Sequence, residues 1–200
     1  MSAEERTRWD EKYRSGAYAG RRHPTALLVE YLSPTPGRAL DVACGAGRNS
    51  LFLAARGWHV EGIDISAVGL AQARERAAGE GLDVGWIEAD LDDPDALPPG
   101  PYDLVLMVRY VNRSLLPHLL TRLAPGGILL VEQHLETTED VIGPKSSRFR
   151  LRHNELLRNV LAAAGDAGRL VYYREGLVTD PDGRPASLAQ LVYEAGGTTA

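Results

Sequence analysis

The chain has 200 residues, 44% hydrophobic and 24% charged, a composition suited to one globular domain with a full core. Its 22 basic residues are scattered among 27 acidic ones for a formal charge of -5, so the basic stripe of a nucleic-acid binder is absent. No run reaches the apolar length of a membrane span, and the charged start is unlike a secretion signal, so neither nucleic acid nor membrane is expected as a partner and a cytoplasmic location is. Cys44 is the single cysteine, which rules out an internal disulfide and a cysteine-built zinc site, and no metal is expected.

In chain order, residues 2–14 make an amphipathic charged start, glycines break it at Gly16 to Gly20, and Pro24 to Leu32 reads as a short helix. Ala39 to Ala43 is a strand that stops at glycines and leads into a helix from Asn49 to Arg56. Trp58 to Ile63 repeats the strand, Ser66 caps a helix that runs to Ala78 before Gly79 and Gly81, and Val84 to Ile87 gives a third strand. Tyr102 to Val108 is apolar throughout, as a strand buried on both faces would be; Ser114 to Leu123 fits a helix, and Ile128 to Glu132 is a strand after the Pro125-Gly126-Gly127 turn. A loop from Leu135 to Leu151, long enough to act as a lid or binding loop, precedes a helix from Asn154 to Ala164. Arg169 to Arg174 and Ser187 to Tyr193, separated by the turn Asp180-Pro181-Asp182-Gly183, should pair antiparallel. The expected fold is α/β, a Rossmann-like three-layer sandwich whose sheet of seven strands is mostly parallel with an antiparallel C-terminal strand. One domain would cover residues 1–195, with a helical cover over about 1–32 and a disordered tail at 196–200.

Chemistry concentrates where strands end, because open α/β sheets bind ligands beyond the carboxyl ends of their strands. Leu40-Asp41-Val42-Ala43-Cys44-Gly45-Ala46-Gly47 puts glycines there that let a ligand approach the backbone. Alone, Gly45-x-Gly47-x-x-Ser50 is also compatible with a degenerate dinucleotide fingerprint. A pyrophosphate would be repelled by the carboxylate of Asp41, whereas the ammonium and sulfonium of S-adenosylmethionine would not. Asp64, after the second strand, is placed to accept from two ribose hydroxyls, and Asp90 after the third could accept from an adenine amino group while Leu91 covers the ring.

In combination these segments resemble class I S-adenosylmethionine-dependent methyltransferases over nearly the whole chain. Ala43 stands where a glycine is more usual, Gly62-Ile63-Asp64-Ile65-Ser66 is similar to the ribose motif, and Leu123-Ala124-Pro125-Gly126-Gly127 to the turn before the fifth strand. Gly47-Arg48-Asn49-Ser50-Leu51, with His23 before it and Asp182-Gly183-Arg184 late in the chain, is similar to the small tellurite-resistance-type methyltransferases. The resemblance implies an S-adenosylmethionine site formed by Tyr13, His23, Asp41, Ala43, Gly45, Gly47, Asn49, Asp64, Ile65, Asp90, Leu91 and Arg109, with S-adenosylhomocysteine as product; Trp9 would join Tyr13 and His23 in the amino-terminal cover. Arg109 and Tyr110, after the fourth strand, and His134, after the fifth, are the candidates facing the methyl, with Arg109 expected to hold an anion by a bidentate contact. The acceptor would be a small molecule, a thiol, selenium or tellurium compound among the candidates, and the protein a monomer or homodimer. A nicotinamide-dependent oxidoreductase and a non-catalytic S-adenosylmethionine-binding module are the competing readings.

Overall fold

The computed structural model describes residues 3–197, so the part of the expected disordered tail at 198–200 lies outside the described residues. Seven strands, β1 (Arg38–Val42), β2 (His59–Asp64), β3 (Val84–Glu88), β4 (Tyr102–Val108), β5 (Leu123–His134), β6 (Gly168–Thr179) and β7 (Pro185–Ala195), form one sheet in the order β3-β2-β1-β4-β5-β7-β6. β1 to β5 pair in parallel, and β7 runs antiparallel between β5 and β6. The order reverses between β1 and β4, which opens a crevice above their carboxyl ends.

The helices are α1 (Ala3–Arg14), α2 (Ala26–Tyr31), α3 (Arg48–Ala54), α4 (Ala67–Glu80), α5 (Leu116–Leu120) and α6 (Glu155–Ala164). β4 shows why its sequence is apolar without interruption: Val105 and Met107 join the core on one face, and Leu104 and Leu106 the core on the other. α4 begins where Ser66 Oγ accepts from the Gly69 amide at 3.0 Å and ends at left-handed Gly81, so Gly79 lies inside it. Among the described residues no helix is long and apolar enough to cross a membrane.

Two local expectations are corrected. α5 is one short turn, because the Ser114 hydroxyl bonds back to Asn112 Oδ1 at 2.8 Å instead of capping a helix. Pro125-Gly126-Gly127 does not precede a strand but lies within β5, where the pairing with β4 shifts between Tyr102 and Leu104. The long stretch from Leu135 to Leu151 is pinned in place: Leu135 and Leu151 bridge and are 1% exposed, and Arg150 donates to the carbonyls of Leu135 and Pro144, both at 2.7 Å. The β6–β7 turn forms as expected, with the Gly183 amide donating to Asp180 O at 2.8 Å.

Candidate functional site

A cavity of about 680 Å³ sits at the crevice, a volume in the range of small-molecule sites. Of the residues expected there, Tyr13, Ala43, Asn49, Asp64, Ile65, Leu91, Arg109, Tyr110 and His134 line it. His23, Asp41, Gly45, Gly47 and Asp90 do not. The floor is the β1–β3 side. Ala43 bends the chain there with φ +56°, a conformation that favours glycine. Asp64, 7% exposed at the end of β2, accepts from the amides of Gly45 and Ser66, both at 2.8 Å, and burial raises its pKa against those bonds. Each of its oxygens keeps a lone pair beyond the amide it accepts.

The picture of three carboxylates facing one ligand is therefore revised. Asp41 is 1% exposed, accepts the Ser50 hydroxyl at 2.6 Å beneath α3, and is pushed by burial up to about 7, so it is no fixed charge at the ligand and repels no pyrophosphate there. Asp90 turns back to accept from the Asp92 amide at 2.9 Å, and Asp92 reaches the cavity in its place. The His23 side chain is exposed, and its carbonyl accepts from Arg48 Nη1 at 3.1 Å. Gly45 makes room for the chain itself, since a side chain there would fall 2.0 Å from Tyr13 Oη. Gly47, the residue before α3, packs under Trp86.

The opposite wall, built around β4 and β5, is basic. Arg109 also has a left-handed backbone, φ +62°, and its side chain is 9% exposed. Its Nε donates to Glu132 Oε1 at 2.7 Å and its Nη2 to Asp180, which leaves buried Nη1 without a partner. The expected bidentate grip on a ligand is thus taken by the protein's own acids, and one nitrogen remains. Glu132, 2% exposed, also accepts from Thr25 Oγ1 at 2.7 Å and Gln190 Nε2 at 2.8 Å; burial would raise its pKa, but Arg109 and these donors hold it below the usual carboxylate range. Arg21 approaches the other oxygen of Asp180 at 3.9 Å. Arg48, the first residue of α3, also lines the cavity but pairs with no carboxylate among the described residues; burial, then Arg109, lowers its pKa.

His134 is 5% exposed, its Nδ1 has no partner, and its ring fills the space a side chain at Gly143 would need, 2.5 Å away. Burial, with Arg109 next, lowers its pKa to about 3, so it is neutral and a weak base at ordinary pH. Burial pushes the Tyr110 phenol up to about 12, which makes it a hydrogen-bond donor.

Two segments close the cavity from above. Asp10 of α1 accepts from Ser66 Oγ at 2.6 Å and the Val68 amide at 3.2 Å, which docks α1 on the start of α4 and brings Trp9, Tyr13 and Tyr18 together as an aromatic cluster. The 143–149 stretch meets α1 through Arg148 and Glu5 at 3.1 Å and through Arg8 over the Phe149 ring at 5.8 Å. Arg21, Arg48, Glu132 and Asp180 escape sequence reasoning as site residues. Arg48 alone carried a local signal, its place directly after Gly47, whereas Asp180 reads as a turn residue.

Strand tips under a two-sided cover frame this site, in a sheet with β7 inserted antiparallel, and residues 39–127 match the family described as "Methyltransferase domain". The chain is 35% identical over 116 residues to the ribosomal RNA small subunit methyltransferase C of Alcanivorax borkumensis, covering 52% of this chain and 36% of that protein. It is 36% identical over 118 residues to the trans-aconitate 2-methyltransferase of Methylobacterium nodulans, covering 56% of this chain and 44% of the relative. The chain thus spans less than half the length of these relatives. In fold it is similar to TehB from Haemophilus influenzae, with a TM-score of 0.70 and 23% identity over 93% of this chain and 67% of TehB.

Proposed function

We propose that this chain, a cytoplasmic monomer or homodimer, binds S-adenosylmethionine and methylates a small acceptor. The reading is carried by one observation: in a chain whose residues 39–127 match a methyltransferase domain, Asp64 is the floor carboxylate of a cavity at the strand switch point. Asp64 would hold the ribose through its remaining lone pairs, Ile65 and Leu91 would flank the base, and Asn49 and Arg48 would hold the methionine end. Bound there, S-adenosylmethionine supplies a methyl group already activated on a sulfonium. What remains for the chain is to align the acceptor and exclude water, positioning that can lower a barrier by about 7 to 11 kcal/mol. Tyr110 would donate a hydrogen bond to the acceptor, and Arg109 and neutral His134 would orient it. Neither Tyr110 nor His134 is a strong base at neutral pH, which suits an acceptor that needs none, such as a thiolate or a reduced selenium or tellurium compound.

Calorimetry with S-adenosylhomocysteine against NAD and NADP tests the cofactor. Preference for a dinucleotide would end the reading. Transfer from radiolabelled S-adenosylmethionine to thiol, selenite or tellurite acceptors would then separate an enzyme from a binding module.

A further inference from the structure

Eight cavity-lining residues are arginine or lysine and three are aspartate or glutamate, in a chain whose formal charge is -5. Behind the wall, Glu132, Asp180 and Glu155 pair with Arg109 and Arg113, and positive charge still remains in excess. Three lining cations, Lys12, Arg48 and Lys145, pair with no carboxylate among the described residues, and Arg109 Nη1 is buried without any partner. A buried donor left unpaired is costly, and a cluster of like charges in a walled cavity raises the local concentration of opposite charge. S-adenosylmethionine deepens the imbalance, because its ammonium and sulfonium outnumber its carboxylate.

We infer that the methyl acceptor is a small organic anion bearing at least two carboxylate or phosphate groups. One seats against Arg109 Nη1, where Arg21 and Arg48 add charge, and the other faces the 143–149 stretch at Lys145 and Arg148. The inference rests on the proposed function and narrows its acceptor class. Nucleic acid would also be anionic, but a cavity of about 680 Å³ closed by α1 and the 143–149 stretch suits a small molecule.

The test is calorimetric titration of protein saturated with S-adenosylhomocysteine, using citrate and its uncharged triethyl ester as probes. Saturation itself is measured first, so failure of the cofactor reading shows as absent S-adenosylhomocysteine binding, and citrate is then titrated into the free protein. Citrate is expected to bind at least about ten-fold more tightly than the ester, and Arg21→Gln and Lys145→Gln each to weaken citrate about five- to ten-fold, the scale of one charge-assisted hydrogen bond. Displacement of citrate by inorganic phosphate would mark a phosphate-bearing acceptor, and indifference to phosphate a carboxylate one; both support the inference. Equal affinity for citrate and ester, no citrate binding, or unchanged citrate affinity in both variants would overturn it.

Discussion

The floor of the cavity and its basic wall are built by opposite strategies. On the floor, Asp64 takes its hydrogen bonds from backbone amides of Gly45 and Ser66, so the carboxylate is satisfied by strand-end segments that are short and contiguous. On the wall, Arg109 is held by Glu132 and Asp180, and Glu132 by Thr25 and Gln190, so residues from both ends of the chain meet around one guanidinium. Backbone-satisfied sites follow from a local motif. Side-chain networks exist only once the whole sheet has assembled.

The largest expected effect comes from breaking the wall. Glu132→Ala would take one of its two carboxylate partners from buried Arg109 and orphan Thr25 and Gln190, and should cost about 3 to 5 kcal/mol of stability in urea unfolding. A loss below about 1 kcal/mol would mean the network is not the wall's mainstay. Beneath the floor, Asp41 has a folded pKa of about 7 against an ordinary 3.8, so the folded protein keeps a proton that the unfolded chain releases. Its contribution to stability is full below about pH 4 and is lost as pH rises toward 7, up to about 4 kcal/mol. Asp41→Asn should remove that fall, seen as a flatter stability profile from pH 4 to 7 relative to the parent; parallel profiles would show that Asp41 ionises freely.

On the floor itself, Asp64→Ala should weaken S-adenosylhomocysteine binding by about 1 to 3 kcal/mol, the cost of unpaired hydroxyls. Unchanged affinity by calorimetry would place the ribose elsewhere. The smallest effect concerns Ala43, whose left-handed backbone costs about 1 to 2 kcal/mol, while a glycine adds about 0.4 to 1 kcal/mol of unfolded-state entropy. Ala43→Gly should therefore stabilise the protein by up to about 1 kcal/mol, read as a raised urea midpoint with unchanged slope.

The same contrast explains what could be read from the sequence. β4 was legible because its apolar run reflects burial on both faces, and α4 because Ser66 and Gly81 mark its ends. Asp41 and Asp64 look alike as acids at strand ends, yet Asp64 is the last residue of β2 and Asp41 stands one residue short in β1, where it meets Ser50 of α3. Spacing cannot resolve that single step. The pairing of Arg109 with Asp180 spans 71 positions and leaves no periodic trace, so Asp180 reads only as part of its turn.

The reach of Asp180 also orders events during synthesis. A nascent chain extended through residue 170 already contains Arg109 and Glu132, but Asp180 and Gln190 are still to be made, and β7 has yet to slot between β5 and β6. Arg109 therefore gains its full complement of counter-charge only after the β6–β7 hairpin has been translated, 71 positions downstream of the guanidinium it completes.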